Sequence, residues 1–326
     1  MGFIDRLRYY RRISSAYLGK GTSQLTFWHE TPEVNPNFDT HALGEYYMTF
    51  ARKADYTALL DADGIPMLDY RGALGPQYNP IAIAQYGLGN YNQWKRVGEP
   101  GRRENFLRIA DWLLAHRERN AAGLWMWMHH FDWEYRDTLR APWYSALAQG
   151  QGISVLVRAY RETGDARYLD GAREACRSFC VDIGQGGVRF VDKSGDAWYE
   201  EYIVNPPTHI LNGAIWAIWG LYDLALVTGE SEVRLQFDAA ARTIARNLPL
   251  FDLGFWSLYE QAGKALPMVA SGFYHKLHIT QLKIMHTLTG DAAFREYAER
   301  WQGFADSAWR RNLALGLKAL FKLCYY

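Results

Sequence analysis

The chain is 326 residues long, and its 36 Lys and Arg residues nearly balance its 35 Asp and Glu residues, which leaves a formal charge of +1. Hydrophobic residues make up 49% and charged residues 22% of the chain, a balance typical of folded globular proteins and not of disordered ones. Nucleic-acid-binding proteins usually carry a basic excess, so nucleic acid is not expected as a partner. No stretch of about 18 apolar residues lacks a charge, so no membrane-spanning helix is expected.

Residues 1–75 form the least regular part of the sequence. The first 21 residues carry scattered charges and no apolar core, so they do not resemble a secretory signal, and we expect a cytoplasmic protein. Turn signals follow at Asn35-Pro36 and at Ala62-Asp63-Gly64. We expect an N-terminal extension that wraps the main domain instead of a full domain.

A glycine-centred turn recurs four times along residues 76–308. In each turn glycine suits the end of one helix and the following acid suits the start of the next. An apolar helical pattern precedes each turn and an amphipathic one follows it, which predicts four helix hairpins. The turns are Val97-Gly98-Glu99, Thr163-Gly164-Asp165, Thr228-Gly229-Glu230 and Thr289-Gly290-Asp291.

Longer connections with β character separate the predicted hairpins, as in GLWMWMHHFDWEYRDT and GGVRFVDKSGDAWYEEY. Buried helices ringed by covering helices describe a mainly α fold, an (α/α) toroid or barrel. Connections that fall on one side of such a ring crowd one mouth, where binding residues commonly lie. We therefore expect a barrel domain over residues 76–308, with short β segments in the loops at one mouth.

The last segment, residues 309–326, reads as a basic amphipathic helix. One interpretation is a final helix docked on the barrel. The other is a helix on the inner face of an anionic membrane, helped by the basic run RLRYYRR at residues 6–12. The residues that suggest the pattern are Arg310, Arg311, Lys318 and Lys322 among Leu313, Leu317, Leu320 and Phe321.

Several strings in order resemble the C-terminal helical domain of the D-glucuronyl C5-epimerases. The resemblance covers about Pro76 to Trp301 and implies a short, bacterial-type member of that family. The strings are NPIAIAQYGLGNYN (79–92), WYSALAQGQGISVLVRAY (143–160), DAWYEEY (196–202), ILNGAIWAIWGLYDL (210–224), LPLFDLGFWSLYE (248–260) and YHKLHITQL (274–282).

The resemblance implies an isomerase that inverts C5 of a uronic acid within a polysaccharide, as from D-glucuronate to L-iduronate in a glycosaminoglycan such as heparosan. That chemistry removes a proton α to a carboxylate and returns one to the opposite face, so it needs two acid/base groups. It also needs donors or positive charge at the C6 carboxylate to stabilise the enediolate. The partner is then a uronate-containing polysaccharide, and we also expect a homodimer.

Four residues match catalytic positions of the family's motifs. Glu201 and Tyr202 close the WYEEY motif, Tyr259 lies in LYE, and Tyr274 begins YHKLH. The resemblance implies Glu201 and Tyr274 on opposite faces of the sugar ring, with Tyr202 and Tyr259 supporting their protonation states. In a chain with 22 Tyr residues, packing is the alternative role for any one of them.

Polar residues near the same motifs are the substrate-binding candidates. Buried helix amides either hydrogen-bond to other parts of the barrel or bind sugar hydroxyls. For His275 and His278, the alternative to substrate binding is a helix cap or a hydrogen bond within the core. The animal relatives carry an Arg after the (I/L)YD motif, whereas this chain has LYEQAGK with Lys264, so Lys276 could substitute for that Arg. The candidates are Tyr78, Gln85, Tyr144, Gln149, Gln151, Asn212, His275, Lys276 and His278.

Neither a cofactor nor a metal is expected. No GxGxxG or GxxxxGK[ST] fingerprint is present. His129-His130 lacks a third ligand at suitable spacing, so we expect structural histidines. The cysteines Cys176, Cys180 and Cys324 form no CxxC pair, so neither a disulfide framework nor a zinc site is expected.

Two other functions stay open. A polysaccharide lyase shares the C5 proton abstraction and then expels the C4 oxygen by β-elimination. A non-catalytic uronate-polymer binding protein would show affinity without exchange of hydrogen at C5. A glycosidase is less favoured, because the acids cluster beside tyrosines instead of forming a separated carboxylate pair.

Overall fold

The computed structural model describes residues 27–28, 30–70, 72–263 and 266–325, without the side chains of Lys322 and Tyr325. The helices are α1 (Ala51–Ala54), α2 (Pro80–Val97), α3 (Pro100–Ala115), α4 (Ala146–Thr163), α5 (Ala166–Cys176), α6 (Leu211–Thr228), α7 (Ser231–Asn247), α8 (Gly272–Thr289), α9 (Ala292–Asp306) and α10 (Ala308–Tyr325). The strands are β1 (Leu68–Asp69), β2 (Pro76–Gln77), β3 (Arg117–Arg119), β4 (Trp125–Trp127), β5 (Trp133–Glu134), β6 (Thr138–Leu139), β7 (Arg189–Val191) and β8 (Ala197–Tyr199).

The mainly α fold of four helix hairpins is confirmed. Each hairpin turns at a glycine in the left-handed region, and the φ angles of Gly98, Gly164, Gly229 and Gly290 lie between 71° and 74°. A side chain would be strained there, so glycine ends the first helix of each hairpin. The acid after two of these glycines, Asp165 and Asp291, accepts a backbone hydrogen bond at the start of the next helix.

The first helices of the hairpins, α2, α4, α6 and α8, form the inner layer, and α3, α5, α7 and α9 cover them. Helix α6 is buried without interruption over residues 211–224. It is long and apolar enough to span a membrane by composition, but 83% of that stretch is buried inside the protein, as in a core helix. The outer helix α7 instead buries one stripe at helical spacing, including Val233, Phe237 and Ile244.

Two glycines let α4 and α6 approach closely. A Cβ on Gly150 would overlap the backbone of Ala217, and one on Gly220 would overlap the backbone of Gly150. Gly150 of the AQGQG string therefore serves helix packing, whereas Gly152 makes room for the Trp127 ring.

Residues 30–54 complete the ring between α8 and α2. Thr280 of α8 donates a hydrogen bond to the carbonyl of Pro32, and the Asn92 amide of α2 donates to the carbonyl of Met48 at 2.8 Å. The sequence predicts an extension that wraps the barrel, and residues 1–26 of it lie outside the described part. The described part packs Tyr46 and Tyr47 against Trp219 of the inner layer, and the extent of the extension stays a prediction.

A buried ion pair anchors this segment. Arg158 of α4 pairs with Asp223 of α6 at 2.6 Å, and both side chains are almost fully buried. The Tyr47 hydroxyl donates to Asp223 at 2.6 Å. A buried charge pair is tolerated only when its remaining hydrogen-bonding capacity is used, so Asp223 has the structural role that its position in a core helix suggests.

The C-terminal helix α10 docks beside the barrel mouth. Ala314 and Phe321 are buried, and Arg311 donates to the carbonyl of Ala305 at 2.7 Å. The Arg310 guanidinium lies over Phe304, and Lys318 Nζ lies 5.7 Å from the ring centroid of Tyr259. These three basic side chains therefore contact the protein. Residues 6–12 and the Lys322 side chain lie outside the described part, and the membrane contact stays a prediction.

Candidate active site

The candidate site lies at the mouth formed by the N-terminal ends of the inner helices. The antiparallel pairs β3–β4, β5–β6 and β7–β8 lie in the connections that precede α4 and α6. Side-chain caps fix the start of three inner helices, since Asn79, Ser145 and Ser271 each accept a backbone hydrogen bond. Loop side chains before each helix are thereby held at one end of the ring.

Backbone pairing places the WYEEY motif. Strand β8 pairs with β7 in the register Arg189↔Tyr199, and the Glu200 N–H continues the ladder to Val188 at 3.0 Å. The Glu200 carboxylate accepts from the backbone N–H of His209 at 3.1 Å and lies 2.6 Å from its Nδ1. Glu200 therefore holds the loop between β8 and α6 through His209. The side chain of the next residue, Glu201, is buried in the protein.

Glu201 is a buried carboxyl group at the first turn of α6. Its Oε2 accepts from the Asn212 amide at 3.4 Å, and a Cβ on Gly213 would overlap this carboxylate, so glycine makes room for it. Burial raises the pKa of Glu201 to about 8, although hydrogen bonding to Tyr202 and Asn212 partly opposes the increase. At neutral pH the group therefore holds a proton that it can donate.

Three tyrosines lie at the same mouth as this carboxyl group. Tyr202 lies beside Glu201, and burial, followed by the Glu201 charge and then the Tyr274 charge, raises its pKa. The rings of Tyr259 and Tyr274 meet edge to face at 4.8 Å. The Tyr259 N–H donates to the carbonyl of Met268 at 2.8 Å, which fixes this loop against the start of α8. The structure thus brings the four predicted catalytic residues to one mouth, and their catalytic roles stay predictions.

Sequence reasoning missed several neighbours of these residues. The Tyr135 ring lies 4.5 Å and the Trp143 ring 5.7 Å from Tyr202. The Tyr135 hydroxyl also donates to the Glu260 carboxylate and lies 3.0 Å from the Thr208 hydroxyl. The aromatic β connection HHFDWEYRDT was the available signal for Tyr135. For Lys318, 59 positions beyond Tyr259, the sequence offered none.

Four inner-helix amides have hydrogen-bonding capacity left over. The Gln85 amide donates to Gln151 Oε1 at 3.2 Å, between the neighbouring helices α2 and α4. The atoms with no hydrogen-bond partner among the described residues are Gln85 Oε1, Gln151 Nε2, Asn212 Oδ1 and Gln281 Oε1. Gln149 differs, because its carbonyl accepts from Trp127 N–H at 3.0 Å and its amide donates to three protein oxygens. Gln149 therefore has a structural role, since it hydrogen-bonds α4 to β4 and to the end of α5.

The two histidines of YHKLH turn toward α9 instead of the mouth. His275 contacts Ser257 Oγ at 2.8 Å and the carbonyl of Trp301 at 3.0 Å, and burial lowers its pKa to about 4. His278 contacts the same Ser257 oxygen at 3.1 Å, and burial lowers its pKa further. Both are fully buried, so the structure does not place them as substrate-binding residues.

The substrate-binding candidates Lys276, Tyr78 and Tyr144 are not shown in contact with the four predicted catalytic residues. Lys276 is exposed and two positions from Tyr274, and side chains at this spacing do not share a helix face. Tyr78 is 38% exposed and donates to Asp61 at 2.5 Å, a bond that raises its pKa to about 12. At the second candidate tyrosine, Tyr144, it is the preceding residue Trp143 whose ring contacts Tyr202. Lys264, the lysine of LYEQAGK, lies outside the described residues.

His129 is structural, as the sequence analysis expected. Its ring stacks on Trp143 at 3.8 Å, and burial lowers its pKa to about 3, so it stays neutral. His130 is exposed and pairs with Glu118. Within the part of the chain that the structure describes, no three His, Cys, Asp or Glu side chains group as metal ligands.

Comparison with known proteins gives one family. The family described as "D-glucuronyl C5-epimerase C-terminus" matches residues 119–303, more than half of the chain. A D-glucuronyl C5-epimerase of Caenorhabditis elegans is 34% identical over 216 residues, which cover 61% of this chain and 35% of that protein. An uncharacterized protein of Methanocaldococcus jannaschii is 27% identical over 217 residues, covering 62% of this chain and 69% of that protein.

Solved structures with similar architecture are more distant. Cellobiose 2-epimerase from Spirochaeta thermophila aligns with a TM-score of 0.49 at 13% identity, over 78% of this chain and 64% of that one. A glycoside hydrolase family 76 mannosidase from Bacteroides thetaiotaomicron aligns with a TM-score of 0.47 at 13% identity, over 72% and 60%. In the sequence comparison, the chain matches about a third of the length of the C. elegans D-glucuronyl C5-epimerase.

Proposed function

The chain belongs to the D-glucuronyl C5-epimerase C-terminus family, and we propose that it inverts C5 of a uronic acid unit within a polysaccharide. The observation that carries the proposal is the buried Glu201 carboxyl group, with its pKa raised to about 8, which lies beside Tyr202 and at the same mouth as Tyr259 and Tyr274. Acid/base groups whose pKa lies near the working pH suit proton transfer. Heparosan is the proposed substrate type.

In the proposed reaction Glu201 and Tyr274 act on opposite faces of the uronate. One group takes the C5 proton, and the C–H electron pair moves into an enediolate at C5 and C6. The other group returns a proton to C5 from the opposite face, which restores the carboxylate. Glu201 holds a proton at neutral pH, so it suits the returning step, and Tyr274 then takes the C5 proton. The reverse reaction exchanges these roles.

Positive charge near the tyrosine pair supports the same scheme. Lys318 Nζ lies 5.7 Å from the ring centroid of Tyr259, and the Tyr259 ring contacts Tyr274. A nearby cation favours a phenolate over a phenol and also attracts the substrate carboxylate. We therefore assign to Lys318 the electrostatic role that the sequence suggested for Lys276.

Incubation in heavy water tests the function directly. The protein is mixed with heparosan or chondroitin, and NMR follows deuterium at C5 and new iduronate signals. An epimerase incorporates deuterium and forms iduronate. Ultraviolet absorbance from an unsaturated uronate would identify a lyase instead. Binding without any C5 exchange in either polymer would contradict catalysis and indicate a binding protein.

Replacing Tyr274 with Phe is expected to lower kcat by about 100-fold or more, since it removes only the proton-carrying hydroxyl. Deuterium incorporation at C5 measures the effect. Tyr297→Phe, on the outer helix α9, is the control and should keep wild-type rates. A Tyr274→Phe variant with near-normal kcat would remove this residue from the proton-transfer pair.

Substitutions of Lys318 and Lys276 test which of the two lysines supplies positive charge to the site. Lys318→Met is expected to lower kcat/KM about tenfold or more, since it removes a cation from the site, whereas the exposed Lys276→Met should stay within about twofold. Steady-state rates on the active polymer measure both. If Lys276→Met gave the larger loss, the cation would belong to α8 and the role of Lys318 would be rejected.

A further inference from the structure

The C-terminal helix α10 exposes most of its large hydrophobic side chains. Among its described side chains, docking on the barrel buries only Ala314 and Phe321. Five others are between 42% and 68% exposed, namely Trp309, Leu313, Leu315, Leu320 and Leu323. Packing against the barrel therefore accounts for only a minority of the apolar residues in this helix.

Most of these exposed residues form one stripe along the helix. Positions 309, 313, 316, 320 and 323 have the spacing of a single helix face, and at about 100° per residue they fall within about 80°. The buried residues Ala314 and Phe321 lie on the opposite side. The middle of the stripe is open, because a Cβ on Gly316 would meet no atom of the described residues within 4 Å. The stripe is therefore continuous over the length of α10.

Elsewhere on the described surface, exposed large hydrophobic side chains occur singly. Five of them lie on five different segments, namely Tyr78, Val97, Val191, Leu235 and Leu250. Single exposed apolar side chains are ordinary in soluble proteins, whereas a contiguous apolar patch marks an interaction surface. The stripe of α10 is such a patch.

The charge of α10 indicates what binds there. Its charged residues are all basic, and residues 308–325 contain no Asp or Glu; the four are Arg310, Arg311, Lys318 and Lys322. An apolar face with Trp and Leu, and basic residues off that face, is typical of helices that lie in the surface of an anionic membrane. Among the described helices, only α6 is long and apolar enough to span a membrane, so α10 would lie on the bilayer.

A second copy of the chain fits this face less well. Pairing α10 with itself would bring four basic residues from each copy together, with no acidic residue on either helix to offset them. Like charges that meet at an interface oppose binding, whereas anionic lipid headgroups attract the same residues. Charge therefore favours a lipid surface over a second α10.

We propose that the apolar stripe of α10 inserts into the surface of an anionic lipid bilayer, where the exposed Arg311 contacts the headgroups. The helix follows residue 303, where the match to the family ends, so this contact is separate from the proposed reaction. Lys318 of the same helix lies 5.7 Å from the ring centroid of Tyr259 at the barrel mouth. Binding through α10 therefore holds that mouth near the membrane.

Vesicle sedimentation tests the contact without relying on catalysis. The full chain is mixed with vesicles of phosphatidylglycerol and phosphatidylcholine in equal amounts, or of phosphatidylcholine alone. We expect binding to the anionic vesicles to be about tenfold tighter or more, and added salt should weaken it. Equal binding to both kinds of vesicle, or binding to neither, would overturn the proposal.

Matched leucine variants assign the binding to α10. Leu313→Ser combined with Leu320→Ser should weaken binding to the anionic vesicles about tenfold or more, since two leucines no longer enter the bilayer. Leu235→Ser combined with Leu250→Ser makes the same change at two exposed leucines elsewhere and should stay within about twofold. All four leucines are exposed, so circular dichroism should show an unchanged helix content. Similar affinities for the two double variants would reject the stripe as the binding surface.

Two further measurements separate insertion from the alternatives. Lipids with brominated acyl chains should quench more fluorescence in the bound wild type than in bound Trp309→Phe, because Trp309 belongs to the stripe. Equal quenching would show that the stripe stays outside the bilayer. Without lipid, sedimentation velocity should give the same mass for the wild type and the Leu313→Ser, Leu320→Ser variant. A wild-type dimer that this variant converts to a monomer would show that the stripe binds a second copy instead.

Discussion

Replacing Glu201 with Gln is expected to lower kcat by about 100-fold or more while the fold and polymer binding remain. Gln keeps the shape of the side chain and can still accept the hydrogen bond that Asn212 donates. It cannot release or return a proton, so the loss belongs to the chemical step. Deuterium exchange at C5 gives the rate, and polymer titration gives the affinity.

The control for this variant is Glu232→Gln, which alters an exposed carboxylate at the start of α7 and should keep wild-type kcat. Circular dichroism should show the same helix content in all three proteins. A Glu201→Gln protein that turned over within a few-fold of the wild-type rate would show that the proton comes from another group.

The same substitution is expected to stabilise the protein at alkaline pH. The pKa of the Glu201 carboxyl group is about 8 in the folded protein and 4.5 when the group is solvated, as in the unfolded chain. Burial causes the difference, because it disfavours the charged form. Between these pH values the folded state holds a proton that the unfolded state has released, so the free energy of unfolding falls as pH rises. Glu201→Gln lacks this loss and should be more stable at pH about 8, by about 3 to 5 kcal/mol.

Urea denaturation of both proteins at several pH values measures this effect. The difference in the free energy of unfolding should grow as pH rises from 4.5, level off above about pH 8, and vanish below pH 4.5, where both states hold the proton. Comparing the two proteins at each pH cancels the titration of all other groups. A difference that does not change with pH would mean that Glu201 is ionised in the folded protein.

The helical hairpins could be predicted because local signals carry them. A glycine such as Gly164 ends a helix through its own backbone freedom, and Asp165 caps the next helix within two residues. The Glu201 and Tyr274 positions came from motif resemblance, and the structure brings both to one mouth. Local capping cannot explain that convergence, since it depends on the four hairpins and residues 30–54 forming one ring.

The remainder of the site depends on contacts that sequence patterns do not encode. Helical spacing put His275 and His278 near Tyr274, but Ser257 and Trp301 decide which way they point. Gln149 and Gln151 look equivalent in AQGQG, and only the position of β4 assigns Gln149 to the barrel wall. The same holds for Lys318, which reaches Tyr259 through the docking of α10.

The segment that closes the ring is made long before the surface that receives it. Tyr47 and its hydrogen-bond acceptor Asp223 are 176 positions apart. At about 5 to 20 residues per second, a ribosome delivers Asp223 some 10 to 35 seconds after Tyr47. Until then Tyr46, Tyr47 and Phe50 lack the α6 surface that buries them in the folded protein. A nascent chain that stalls before α6 therefore exposes an aromatic segment that chaperones bind and that promotes aggregation.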